Sequence, residues 1–542
     1  AEIFRLAGPV PGRARLVQVL IGAFLPMLLF LLVDRAFRNR KAAFWSAALA
    51  VFYPTFLYYD ASLLITSTMV ILIVLLISQL YRAQENPTFR NFIFAGVWLG
   101  LAGLARPNIL LLGPALAVWV WLLIKPRVGL KPAIWRYLVL GAVTVLVILP
   151  VTVRNYRVGN DFVFIAWQGG FNFYLGNNSR ASGWSATAPG IDYSWEGGYR
   201  DAIVIAENEA RRPLKRSEIS DYWYRKTFAE IKQHPGAFLA LQFKKIRLFI
   251  NGFEIPNNQN LYFAREYASL LKPLMFTEPL YFPFGVLAPL AIIGLGLTFS
   301  QWRQYLLVYL MLASYTLSFL LFFICARYRQ PLIPFMLVLA VLAVMKLAAY
   351  IKNRQYKNIT VFTVVFIILA LESNHDLLKL EPNRVRAEDY FTQGAAQLEY
   401  GRIDQAEENF KRALAADSTH GASYNNLGMI YANRNEYLRA LPLFQKAVKL
   451  EPQVMENYFN YATALISLKN LKGALDILEE ARRINPLNYY VHYKLGMTYY
   501  QAGEPEKARS ALAESLRLNP DNDHARQLSR QIDVLLRQWQ NP

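Results

Sequence analysis

Four arginines lie beside the ends of long apolar segments, where a charged side chain usually has a function. A guanidinium group stays ionised, binds phosphate through paired N–H donors and tolerates partial loss of water better than an ammonium group does. We therefore predict that these arginines bind the phosphate or diphosphate of a lipid. The alternative is that each one extends to the lipid headgroups, as arginines near helix ends commonly do. The candidates are Arg106, Arg154, Arg327 and Arg329.

Asp60, in the stretch FLYYDASLL, is the candidate catalytic residue. Its carboxylate could act as a general base, ligate a metal or pair with one of the arginines, and a carboxylate among arginines has a lowered pKa. Five scattered histidines and a single cysteine, Cys325, define no metal site, and one cysteine excludes an internal disulfide. The sequence leaves open whether the protein uses a divalent metal cofactor.

The composition places these residues in a membrane protein. The 542-residue chain is 54% hydrophobic with a mean hydropathy of +0.20, which is too apolar for an ordinary soluble protein. A net charge of +20 would suit a nucleic-acid partner, but the sequence has no zinc-finger spacing, basic zipper or RNA-binding aromatic motif. We predict no nucleic-acid binding and assign the charge to cytoplasmic loops and membrane lipids.

Ten apolar segments approach the length of about 20 residues that a bilayer-spanning helix needs. If each segment crosses once, alternate connections carry most of the basic residues, and the positive-inside rule places that side in the cytoplasm. The candidate arginines, Asp60 and everything after residue 372 then lie on the other side. The segments are 16–33, 42–58, 62–81, 91–105, 109–124, 133–153, 280–299, 305–325, 331–350 and 358–372.

A repeat with a period of 34 residues begins near residue 387. Small residues at two phases of the repeat let antiparallel helices pack closely, which is the tetratricopeptide pattern. We predict four repeats over 387–520, a capping helix over 521–542, and binding of a protein partner or acceptor by the repeats. The small residues are Gly394, Gly428, Ala462 and Gly496 at the first phase, and Ala406, Ala440, Ala474 and Ala508 at the second.

Together these patterns predict an all-α protein. Residues 1–153 and 279–375 form a polytopic transmembrane helical bundle, and 154–278 form an extracytoplasmic loop region with amphipathic helices. After a linker over 376–386, the repeats form an α-solenoid outside the cytoplasm.

The stretches FYPTFLYYDASLL, GLARPNILLLGPA, FEIPNNQNLYF and ARYRQPLIPFMLVLA, in this order, resemble the prokaryotic membrane glycosyltransferases of the GT-C superfamily. The likeness is to the branch of protein mannosyltransferases and aminoarabinose transferases, in particular to members with C-terminal tetratricopeptide repeats. It implies an enzyme of the prokaryotic cytoplasmic (inner) membrane that transfers a sugar from a polyprenyl-phosphate-linked donor to an extracytoplasmic protein or glycan. It also implies that Arg106, Arg327 and Arg329 hold the donor phosphate as the glycosidic bond breaks.

The resemblance starts only after the first membrane helix of the family and the acidic loop that follows it. In the family this loop carries the carboxylate that deprotonates the acceptor, so we expect the base upstream of this sequence. The alternatives are a chain without this base, or Asp60 as its partial replacement. Two other functions stay open: a non-catalytic, membrane-anchored scaffold for the repeats, and a transporter of lipid-linked sugars. Transporters usually show an internal duplication, which this sequence lacks.

Overall fold

The computed structural model describes residues 11–185, 188, 191, 195–256, 260–277, 279–378 and 382–540. The regular structure of these residues is helical, apart from one isolated antiparallel bridge between Phe276 and Phe282. The predicted all-α class is therefore confirmed for the described residues. The chain divides into two compact units, Ala1–Leu377 and Leu378–Pro542.

The first unit is helical because a segment that crosses a membrane must satisfy its backbone hydrogen bonds internally. Short turns of 3-10 helix lie at Pro107–Leu111, Phe299–Gln301 and Gln330–Leu332, and a π turn lies at Val120–Ile124. The α-helices are α1 (Pro11–Gly22), α2 (Leu25–Phe37), α3 (Arg40–Val51), α4 (Pro54–Ala61), α5 (Thr66–Glu85), α6 (Phe89–Ala105), α7 (Leu112–Trp119), α8 (Lys125–Val128), α9 (Leu130–Gly159), α10 (Gly169–Asn177), α11 (Trp195–Ala210), α12 (Arg216–Gln233), α13 (Pro235–Ile250), α14 (Leu261–Tyr267), α15 (Phe284–Thr298), α16 (Trp302–Leu320), α17 (Ala326–Arg329), α18 (Ile333–Lys352) and α19 (Tyr356–Ser373).

Seven helical runs in the described residues are long and apolar enough to cross a membrane, against ten predicted segments. The predicted segment 42–58 is divided into α3 and α4, because Pro54 disfavours a helical backbone at the residue before it. The predicted segments 280–299 and 305–325 lie in one run, and α6 is apolar but shorter. The seven runs are Gly12–Phe37, Thr66–Glu85, Pro107–Val128, Leu130–Gly159, Phe284–Leu320, Ala326–Lys352 and Tyr356–Ser373.

The basic connections of the first unit meet at one end of its helices. Arg35 Nε lies 3.2 Å from Glu85 Oε2, which joins the ends of α2 and α5. Trp119 Nε1 donates to Gln84 Oε1 at 2.9 Å, and Arg136 Nε donates to the Pro87 carbonyl at 2.5 Å. This grouping agrees with the positive-inside argument, and the face of the membrane that this end meets stays a prediction.

The segment between α9 and α15 forms a small helical layer with an aromatic core, in which Phe171, Tyr174 and Trp223 are buried. The stretch GGFNFYLGN, which reads as irregular because of its Gly and Asn content, is the helix α10. Gly176 packs on the backbone of Phe322, where no Cβ would fit, so this helix needs glycine at its closest approach. The described part of the predicted loop region thus forms helices, and Asn177 and Lys245 bond to the carbonyls at the end of α16.

The second unit consists of paired antiparallel helices, as the 34-residue period predicts. The close approach at the small residues is present: a Cβ on Gly428 would lie 2.7 Å from Phe444. The first helix begins at Pro382, inside the predicted linker, and a helix over Asp523–Gln540 lies where the capping helix is predicted. The helices are α20 (Pro382–Glu399), α21 (Ile403–Ala416), α22 (Gly421–Asn433), α23 (Tyr437–Leu450), α24 (Met455–Ser467), α25 (Leu471–Ile484), α26 (Tyr489–Gln501), α27 (Pro505–Leu518) and α28 (Asp523–Gln540).

Candidate phosphate site at the helix ends

Arg329 is a buried cation whose terminal nitrogens all contact protein acceptors. Its Nη1 donates to the carbonyl oxygens of Phe249 and Asn251, at 3.3 and 2.5 Å. Its Nη2 donates to the carbonyl of Phe253 at 2.9 Å and to Glu254 Oε2 at 2.8 Å. The side chain is 1% exposed. These contacts leave Arg329 no terminal donor for a phosphate, in contrast to its predicted role.

Glu254 is the charge partner of Arg329 and is itself 2% exposed. Burial raises the pKa of Glu254, and the Arg329 guanidinium opposes the rise. A buried carboxylate is tolerated when it is paired and hydrogen-bonded, so the ion pair fixes the 249–254 segment against α17. The Glu254 amide also donates to Tyr262 Oη at 3.0 Å. Sequence reasoning missed this residue, although it lies in the quoted stretch FEIPNNQNLYF.

Arg106 and Arg327 lie on the ring of the same tyrosine. The guanidinium carbon of Arg106 is 4.4 Å from the ring centroid of Tyr328, and that of Arg327 is 5.5 Å from it. Both arginines are half-buried, and no carboxylate among the described residues pairs with either. The Arg327 Nε is buried without a hydrogen-bond partner.

This arrangement places two guanidinium groups, without a carboxylate partner among the described residues, over one tyrosine ring at the helix ends opposite the basic connections. Each guanidinium carries five N–H donors in a planar fork, which matches the oxygens of a phosphate. Tyr328 packs against Phe319 and Phe323, with ring centroids 5.9 and 5.4 Å away, so its ring has a fixed position. Tyr328 is a second residue that sequence reasoning missed; its position between the two arginines of ARYR is the available signal.

Arg154 and Asp60 are the two remaining predicted site residues. Arg154 is exposed near the end of α9 and is not one of the two arginines found on the Tyr328 ring in the described part of the chain. Asp60 packs against Gly22 of α1. Burial raises the pKa of Asp60 to about 6, and the Ser67 hydroxyl opposes the rise. The predicted lowering of this pKa by arginines was therefore wrong.

No group of three His, Cys, Asp or Glu side chains that could hold a metal ion is found among the residues the structure describes. Cys325 is buried beside this site, and burial raises the pKa of its thiol.

The fold and this site define a class of all-α protein: a bundle with membrane-length helices joined to a helical repeat array. Within the first unit, residues 2–153 match the family model of the dolichyl-phosphate-mannose-protein mannosyltransferases. Tetratricopeptide repeat models match residues 391–454, 426–489 and 468–532, which confirms the predicted repeats.

Among curated proteins, the chain is similar to the human protein O-mannosyl-transferase TMTC3, with 23% identity over 150 residues. It is also similar to anaphase-promoting complex subunit 3 of Schizosaccharomyces pombe, with 33% identity over 108 residues. These matches cover 28% and 20% of this chain, and 16% of each relative. Among solved structures, MamA of Desulfovibrio magneticus RS-1 is 24% identical, with 28% of this chain and 84% of that chain covered and a TM-score of 0.26.

Proposed function

We propose that this chain is a membrane glycosyltransferase that takes a sugar from a polyprenyl-phosphate-linked donor. The match of residues 2–153 to a mannosyltransferase family supports sugar transfer and a lipid phosphate donor. The likeness to a protein O-mannosyl-transferase favours a protein acceptor, which the repeats would recruit directly or through a partner. The prokaryotic inner membrane, with the repeats outside the cytoplasm, stays part of this proposal.

The observation that carries the proposal is the pair of guanidinium groups on Tyr328, neither of which has a carboxylate partner among the described residues. In the reaction, the acceptor oxygen bonds to the anomeric carbon and gives up its proton to a base, for which Asp60 is the candidate in this chain. The bond from the anomeric carbon to the phosphate oxygen breaks, and its electron pair stays on the phosphate. Arg106 and Arg327 would stabilise that developing negative charge. One well-placed donor is worth roughly 2.7 to 4 kcal/mol in other enzymes that stabilise an oxyanion.

Arg329 has a different part in the proposal: it is a positioning residue. Its contacts with the 249–254 segment hold α17, which also carries Arg327. Arg154, exposed near the end of α9, would contact lipid headgroups rather than the donor. For Asp60, a pKa of about 6 suits a proton acceptor near neutral pH, and Asp60→Asn tests this role.

The test is transfer of a radiolabelled sugar from a synthetic polyprenyl-phosphate donor by the full chain in detergent or nanodiscs. We expect Arg106→Ala and Arg327→Ala each to lower kcat/KM at least about 100-fold. Arg157→Ala, on the exposed end of α9, is the matched control and should retain full turnover. Each variant must elute as a monodisperse species with unchanged circular dichroism.

Unchanged turnover in both arginine variants would refute the phosphate assignment. A second outcome is that the parent chain itself transfers no sugar but still captures a partner through its repeats. That result would favour the scaffold function over the enzyme.

A further inference from the structure

Helix α13 directs the side chains of Gln242 and Lys245 inward. Gln242 Nε2 and Lys245 Nζ each donate to Asn177 Oδ1 at 2.9 Å, and Lys245 Nζ also donates to the Leu320 carbonyl at 2.9 Å. Lys245 is fully buried, at the C-terminal end of α16, where a cation is favourable. Leu248, one turn along from Lys245, is buried on the same face.

The opposite face of α13 is apolar and exposed. Leu239, Phe243 and Ile246, here called the apolar stripe, are 66%, 65% and 45% exposed. Their spacing of four and three residues places them on one face of the helix. A helix on the surface of a soluble protein has the reverse arrangement, with its polar residues outward. The stripe therefore requires an apolar environment outside the unit.

The position of α13 identifies that environment. Arg247 Nε lies 2.5 Å from Glu372 Oε1, in the last turn of α19, and the Gly252 amide donates to the Ser373 carbonyl at 2.6 Å. Since Lys245 contacts the end of α16, α13 crosses the ends of two membrane-length helices. The end of α19 is also exposed and apolar, with Leu371 at 69%. The stripe thus adjoins a second exposed apolar surface, at the end of a helix that is long and apolar enough to cross a membrane.

The charge around the stripe is positive. Residues 231–250 contain no Asp or Glu, and Lys232 and Lys244 are exposed. We propose that α13 lies in the interface of the membrane, with the apolar stripe among the lipid acyl chains and these two lysines at anionic headgroups. This inference stands independently of the proposed function. Helix α13 also leads directly into the 249–254 segment, whose carbonyl groups accept hydrogen bonds from Arg329 of the candidate site.

The experiment measures the surroundings of the stripe with a fluorescent label. Phe243→Cys is labelled with a nitrobenzoxadiazole dye in the full chain, in nanodiscs that contain phosphatidylglycerol. The parent chain is the labelling blank, because its single cysteine, Cys325, is buried. Leu438→Cys, on the exposed face of α23 at 76% exposure, is the matched control for an exposed apolar position. Lipids with a spin label on the acyl chain and aqueous iodide serve as the two quenchers.

We expect spin-labelled lipid to quench the label at position 243 several-fold more than at position 438, with blue-shifted emission. A Lys232→Gln/Lys244→Gln variant, or nanodiscs of phosphatidylcholine alone, should weaken the lipid quenching. Equal iodide quenching at both positions would show that the stripe faces water and would overturn the proposal. Protection at 243 from both quenchers would also overturn it, because protein would then cover the stripe. Lipid quenching that does not respond to either change would overturn the assignment of the lysines.

Discussion

The buried ion pair between Arg329 and Glu254 separates the structural arginine from the proposed phosphate-binding arginines. Arg329→Met leaves a carboxylate buried without its cation and removes the donors to three carbonyl groups. Breaking a buried pair in this way typically costs about 3–5 kcal/mol. Folded domains are stable by only about 5–15 kcal/mol, so the variant should lose much of the stability of the first unit.

The measurement is the free energy of unfolding in detergent micelles, followed by tryptophan fluorescence. Of the 11 tryptophans, all but Trp539 precede the second unit, so the signal reports on the first unit. Arg327→Met is the matched control, because Arg327 has no carboxylate partner among the described residues and should lose less than about 2 kcal/mol with its ring contact. The double variant Arg329→Met/Glu254→Leu should lose about 0.5–3 kcal/mol less than the sum of the single variants.

Equal destabilisation by Arg329→Met and Arg327→Met would contradict this distinction. So would strict additivity in the double variant, because it would mean that the two side chains do not depend on each other. The reasoning would also fail if Arg329→Met kept the free energy of unfolding of the parent chain but lost sugar transfer, since Arg329 would then contact the donor.

Two further predictions concern packing and pH. Gly294 packs against the Leu339 carbonyl with no room for a Cβ, whereas nothing lies near Gly296 on the same helix. Gly294→Ala should therefore lower the free energy of unfolding by about 1–3 kcal/mol. Gly296→Ala is the control and should leave it unchanged. Burial lowers the pKa of Lys245 to about 7, so above that pH the unfolded chain binds more protons than the folded one. Stability should then rise by about 1 kcal/mol from about pH 7.5 to about pH 8.5, and Lys245→Met should remove this rise. A flat pH profile in the parent chain would show that Lys245 stays charged when buried.

The features that depend on a repeating pattern could be predicted from the sequence, because their physical cause is local. The small residue at position 428 must lie against the next helix, and the structure places Phe444 there. Most of the long apolar segments were found for the same reason, although Pro54 divides one of them, two lie in a single run and one is a shorter helix. The spacing of α13 predicts an amphipathic helix, but it does not identify what covers the apolar face, because that spacing is the same whether the face packs on protein or on lipid.

The candidate site shows where pattern reasoning stops. Arg327 and Arg329 read as equivalent charges in a connection between two spans, yet the structure places them on the short helix α17. Residues two apart on a helix point in nearly opposite directions, so these two side chains cannot turn to the same ligand. One contacts Glu254 and the other lies over Tyr328 beside Arg106. The two arginines can be told apart only when it is known that residues 326–329 are helical and that Glu254 contacts Arg329. Both facts depend on the fold, because Glu254 is far from Arg329 in the sequence.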